Sequence, residues 1–114
     1  MLTADIIIRG SKKRKEVSAM VDSGAGISLI SKRLAEEVGY EISNETMNIA
    51  MADETTISCP IGYIIMELGS CDVRMPVAIF DKLVEELLIG LDMLKELGVK
   101  IDMGNGELST DRCS

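Results

Sequence analysis

The chain has 114 residues, enough for one domain spanning 1–114 with a real core and too few for two lobes with separate cores. Apolar residues make up 46% and charged ones 27%, the balance of a folded protein, and a net charge of -7 with scattered acids excludes the clustered basic surface of a nucleic-acid binder. With no histidine, the chain can build no Ser-His-Asp triad, no Cys-His pair and no His-ligated metal, so any catalysis rests on carboxylates, lysines, hydroxyls or thiols.

No apolar stretch approaches the ~20 residues that span a bilayer, and the N-terminus lacks a basic region followed by an apolar signal core, so a cytoplasmic protein without membrane contact is expected. Cys59, Cys71 and Cys113 are odd in number and show no CxxC spacing. They read as reduced thiols, two of them in strands, rather than as a disulfide framework or a zinc site.

In chain order, Lys12, Lys13, Arg14 and Lys15 follow Gly10 and Ser11 between two strand-like segments and read as an exposed hairpin loop without a function of its own. Val17, Ala19 and Val21 alternate with Ser18, Met20 and Asp22, the period of a strand that ends at Asp22. Gly24, Ala25 and Gly26 then form a turn. It is no nucleotide loop, because the GxGxxG spacing would need glycine at Leu29 and the turn has no lysine for a phosphate. Ile30, Leu34 and Val38 are spaced by four and Gly39 follows, which predicts a short amphipathic helix over Lys32 to Val38.

Met47, Ile49 and Met51 alternate with polar residues, Ala52, Asp53, Glu54 and Thr55 make a polar turn, and Thr56 to Ser58 resume an extended run, so this segment is a hairpin. A second hairpin joins Ile61–Leu68 to Cys71–Phe80 through Gly69 and Ser70. Pro60 fits a strand start and Pro76 a sheet edge. Leu87, Leu88, Ile89 and Gly90 read as a strand running into a glycine, Leu91 to Leu97 as a second helix, and Val99 to Ile101 as a strand after Gly98. A tight turn over Gly104, Asn105 and Gly106 leads to a short terminal strand over Glu107 to Thr110.

"LAEEVG" from Leu34 and "LKELG" from Leu94, with Gly24 matched to Gly90, make a strand, glycine turn, helix, glycine, strand unit that occurs twice, the mark of an internal duplication. In that match the partner of Asp22 is Leu88, so one half carries an acid and the other does not. By itself, an Asp before Ser-Gly commonly makes a local turn by accepting backbone N–H groups.

"VDSGA" at Val21, "MADETTIS" about thirty residues on and "LLIGLDML" about seventy on stand in the order and spacing of the retroviral-type, or retropepsin-like, aspartic proteases, which this chain resembles over nearly its full length. The resemblance implies an all-β acid-protease fold, a closed barrel or sandwich with two short helices and an internal pseudo-two-fold repeat. It implies that Asp22 is the catalytic carboxylate and that Ser23, Gly24 and Ala25 complete the active-site loop. Met51, Ala52, Asp53, Glu54 and Thr55 correspond to the substrate-binding flap, and Leu88, Ile89 and Gly90 to the apolar-apolar-glycine segment beside the site. Met47, Ile49 and Ile57 are then candidate pocket walls. In that family two such loops meet across a two-fold axis, so the chain's one loop Asp implies a homodimeric endopeptidase acting on peptide or protein, with no metal or cofactor.

The chain departs from the family in two places. Its flap tip has no glycine, and Leu91 and Gly26 stand where viral enzymes pair an Arg with an acid. An "IG-x-D-x-L" segment with Asp92 as a helix cap resembles stand-alone prokaryotic relatives. The charged flap keeps a second expectation open, a dimeric peptide-binding or scaffolding module with little or no proteolysis. The segments Met1 to Ile8 and Glu107 to Ser114 are both candidates for the strands of the dimer interface.

Overall fold

The computed structural model describes residues 3–22, 24–50, 53–68, 71–81, 85–90, 95, 98–102, 104 and 108–110. The strands are β1 (Thr3–Arg9), β2 (Arg14–Val21), β3 (Leu29–Ser31), β4 (Glu41–Ala50), β5 (Thr56–Leu68), β6 (Cys71–Phe80), β7 (Leu87–Ile89), β8 (Val99–Ile101) and β9 (Leu108–Thr110), with the helix α1 (Lys32–Val38) after β3. The expected second helix at Leu91 to Leu97 lies outside the described residues, apart from Lys95.

The main sheet runs β1-β2-β7-β3-β6-β5-β4, and an added pairing of β1 with β5 joins Ile7, Ile8 and Arg9 to Glu67, Met66 and Ile65. That pairing closes six strands into a barrel and leaves β4 outside it, hydrogen-bonded only to β5 among the described residues. The strands β8 and β9 form a separate two-stranded sheet.

The barrel interior is filled by the alternate residues that the strand period turns inward. Ile6 and Ile8 of β1, Val17 and Ala19 of β2, Ile64 and Met66 of β5, and Met75 and Val77 of β6 are all buried, and Leu34, Ala35 and Val38 of α1 join the same cluster. Burying each large aliphatic side chain contributes about 1.5–3 kcal/mol. α1 begins where the sequence places it, because the Ser31 hydroxyl accepts the Leu34 N–H at 3.1 Å. It ends at Gly39, whose φ of 79° suits a residue without a Cβ.

On β5 the buried positions change parity: Cys59 and Ile61 face one side, Ile64 and Met66 the other. Cys59 and Ile61 pack with Ala78 and Phe80 in a satellite cluster on the outer face of the barrel, roofed in part by Ile49 of β4. The two runs expected at Thr56 to Ser58 and Ile61 to Leu68 are therefore one strand of 13 residues, shared between the barrel and the outer hairpin.

Pro60 does not start a strand, as expected, but lies inside β5 opposite Thr46. The register of β4 slips between Ile42 and Thr46, beside the proline that has no N–H for the ladder, and across this bulge the Ser43 hydroxyl donates to the Ile61 carbonyl at 2.6 Å. Pro76 pairs with Tyr63 on one side, while β3 reaches β6 only from Ala78 onward, which fits the expected edge position.

The basic run has a structural use that its composition hides. The backbone N–H groups of Lys12 and Lys13 donate to the Val38 carbonyl at 2.8 and 3.2 Å, and the Lys13 and Lys15 ammonium groups reach Glu37 at 2.6 and 3.0 Å. Arg14 and Lys15, expected in the loop, already belong to β2, so the loop and the start of that strand together dock cations and donors on the C-terminal end of α1, where the helix leaves unpaired carbonyls.

Candidate active site

β7 lies between β2 and β3 in the sheet, parallel to the first and antiparallel to the second. The chain from Asp22 to Ser28 must therefore arch over the end of β7 to join its two neighbours. The arch is anchored at both feet. The Asp22 N–H donates to the Ile89 carbonyl at 2.9 Å, and the buried Ser28 hydroxyl accepts the Gly90 N–H at 3.0 Å while its carbonyl accepts the Ala78 N–H at 2.9 Å.

This packing leaves no room beneath the arch. A Cβ on Gly90 would lie 2.5 Å from the Ile27 carbonyl oxygen and 3.0 Å from that of Ala25. Glycine at position 90 is thus a demand of the close approach of two backbones rather than of turn geometry.

Within the arch the Asp22 side chain is exposed, and its Oδ1 accepts the Gly24 N–H at 2.9 Å. The Ala25 N–H donates to the Asp22 carbonyl at 3.1 Å, closing a tight turn. One carboxylate oxygen is therefore held by its own loop, and among the described residues that is the side chain's hydrogen bond. Ser23, expected beside it, lies outside the described residues.

Asp22 and Gly24 open onto a cleft of about 520 Å³. Its floor is Ile27, Leu29 and Leu88, and Met47 and Ile49 of β4 stand against it as a roof. Leu88, matched to Asp22 in the sequence repeat, thus borders the same cleft, buried and apolar. Asp22 is the one carboxylate lining the cleft among the described residues.

The expected flap residues divide. Met51 and Ala52 lie outside the described residues. At the tip, Asp53 accepts the Thr55 N–H at 3.1 Å and its hydroxyl at 2.5 Å, which holds the Asp53 carboxyl below its usual range, and Glu54 adopts a φ of 70°. Met47 and Ile49 line the cleft as expected, whereas Ile57 borders a neighbouring cavity. Sequence reading missed Ser28, whose burial inside a glycine-rich turn has no periodic signal.

Among the described residues no cluster of His, Cys, Asp or Glu could hold a metal ion, and no helix is long and apolar enough to cross a membrane. Cys59 is free and buried, and burial pushes its thiol up from the ordinary value.

A closed barrel carrying an Asp-bearing arch under an outer hairpin is the retropepsin-like acid-protease fold. The chain belongs to the family described as "gag-polyprotein putative aspartyl protease", whose model matches residues 8–96. A comparison with curated proteins gave no match.

Among solved structures the chain is similar to the retroviral protease-like domain of Ddi1 from Leishmania major, at 21% identity and a TM-score of 0.65, over 97% of this chain and 90% of that one. It is similar also to the EIAV protease complexed with the inhibitor HBY-793, at 13% identity and a TM-score of 0.63, over 89% and 91%. The simian foamy virus protease matches at 18% identity and a TM-score of 0.54, over 82% and 96%. At these identities the likeness is one of fold.

Proposed function

We propose that the protein is an aspartic endopeptidase, one domain over residues 1–114, that works as a homodimer with Asp22 of each subunit forming the catalytic pair. The observation that carries this reading is the placement of Asp22: an exposed carboxylate, fixed through one oxygen to Gly24, lining a cleft that holds no second acid among the described residues. A pair then requires a second copy of the chain.

Two carboxylates ~3 Å apart cannot both ionise cheaply, so one keeps its proton while the other is charged. The charged member takes a proton from a bound water, the water attacks the peptide carbonyl, and the protonated member supports the developing oxyanion. The Gly24 N–H holds the Asp22 oxygen in place through this cycle. Ser23 would tie each loop to its partner. Met47 and Ile49 supply apolar surface over an extended peptide, whose backbone the hairpin can bind by strand-like hydrogen bonds.

The test is cleavage of an unfolded protein by the purified dimer at mildly acidic pH. Activity is expected from the wild type and not from Asp22→Asn, and it should be blocked by a statine-type mimic of the tetrahedral transition state. Equal cleavage by the variant sinks the assignment.

One observation favours a second reading, a dimeric module that binds peptides without cutting them. The flap tip is held by the Asp53–Thr55 hydrogen bonds and carries no glycine, which opposes the closing motion that excludes water. Peptide binding without cleavage, unchanged in Asp22→Asn, would identify that case.

A further inference from the structure

A second cavity, of about 420 Å³, borders the other strand of the flap hairpin. Ile57, Cys59 and Pro60 of β5 form one wall and Phe80 of β6 another, with Lys32 and Asp81 beside them. Ile57 stands directly across from Ile49, and Cys59 across from Met47, in the β4–β5 register. Residues so paired share one face of the sheet with their Cβ atoms ~5 Å apart. Met47 and Ile49 line the catalytic cleft, so residues bordering the two cavities are cross-strand neighbours along these pairs.

One apolar cluster also ties the two cavities together. Cys59 and Phe80 of the second cavity belong to the cluster against which Ile27, Leu29 and Ile49 of the catalytic cleft pack. At the boundary, Met47 is 40% exposed and Ile57 37%, two of the large apolar side chains that the described fold leaves in water. A ligand spanning the boundary would cover both.

We infer that this cavity receives an apolar side chain of the peptide held in the catalytic cleft, at a position away from the bond that is cut, and so helps select the sequence. The inference rests on the endopeptidase reading for its biological meaning. The chemistry follows from the walls. Ile57, Pro60 and Phe80 offer apolar contact, and Lys32 and Asp81, 3.9 Å apart, offset each other's charge, so neither an acidic nor a basic side chain is drawn in. The volume suits one large side chain such as phenylalanine, with space to spare.

Binding to Asp22→Asn protein tests this without requiring catalysis. The probes are dye-labelled extended peptides in which single positions are changed from Ala to Phe, read by fluorescence anisotropy. Phe at one position is expected to tighten binding about tenfold, the scale of a side chain seated in an apolar pocket. Adding Ile57→Trp, which fills the cavity from a half-exposed position, should abolish that gain while leaving the Ala peptide unchanged.

Adding Phe80→Leu, which enlarges the cavity, should move the preference from Phe toward Trp. A thermal melt confirms that each variant is folded. The inference is overturned if no position prefers Phe, or if the preference survives both substitutions. If the preference behaves as expected and the wild type nevertheless cuts nothing, the endopeptidase reading fails and the pocket stands.

Discussion

Gly24 donates its backbone N–H to Oδ1 of Asp22 at 2.9 Å, and a Cβ on Gly24 would come within 3.1 Å of that same oxygen. The glycine therefore shapes the loop and positions the carboxylate at once. An asparagine at position 22 keeps an oxygen for this bond but cannot act as acid or base. Asp22→Asn is expected to melt within a few degrees of the wild type and to lose at least about 10³-fold in kcat/KM, as removal of a catalytic group does. Calorimetry and a peptide-cleavage assay read the two effects separately.

If the pair forms across two subunits, the same variant should poison the wild type. Mixing equal amounts of wild-type and Asp22→Asn chains, with time for exchange, leaves about one quarter of the dimers with both aspartates. Activity per total chain should fall to that level. A fall to one half, the result of simple dilution, would mean that each chain works alone.

Gly90→Ala places a methyl group against the backbone of Ile27 and Ala25, which must shift. The expected cost is about 1–3 kcal/mol, visible as a lower urea midpoint, together with reduced cleavage because the displaced arch carries Asp22. Ser28→Ala leaves the Gly90 N–H without its hydroxyl acceptor inside the core and should cost about 1–3 kcal/mol in the same assay. Unchanged stability in both variants would contradict the described packing under the arch.

The pH dependence of stability should carry the signature of Glu37. Lys13 first, and then Lys15, hold its carboxyl down to about 2 from an ordinary 4.5. A depressed value in the folded state means that the ion pairs stabilise the protein above pH 4.5 and that their contribution is lost as the pH falls toward 2. Glu37→Gln should therefore lower the melting temperature at pH 6 and flatten its decline between pH 4.5 and 2. At the mildly acidic pH where a shared-proton pair is active, the Glu37 contacts are still in place. A peptidase optimum there and a stability plateau above it are compatible.

Much of this was legible in local patterns. Ile30, Leu34, Val38 and Gly39 mark α1 to the residue, because amphipathic spacing and a glycine stop are local signals. Asp22 stands out for the same reason, at the junction of an alternating strand and a glycine turn. The closure of β1 on β5, and the parallel pairings of β2 with β7 and β3 with β6, join residues far apart in sequence, and no short window encodes such a register.

Ser28 and Gly90 show the same limit at the site. Ser28 looks ordinary in sequence and Gly90 stands out only as part of a motif, and only the crossing of two chain segments makes one a strut and the other a necessity. Ile57, expected as a pocket wall with Met47 and Ile49, borders a different cavity, because a strand period assigns faces and not the cavity each residue borders.

The strand left outside the barrel bears on the protein's solubility. Among the described residues β4 has a second strand on one side only, with Ile42 79% exposed beside its other edge, and such an edge invites other chains to add themselves and build fibrous aggregates. Two features spoil it as a template. Exposed Glu45, and Glu41 in its ion pair with Arg74, place charged groups along it, and the Ser43 bulge breaks the ladder between Ile42 and Thr46 before a stacked neighbour could follow it. The flank that could template its own aggregation is thereby made a poor partner for a second strand.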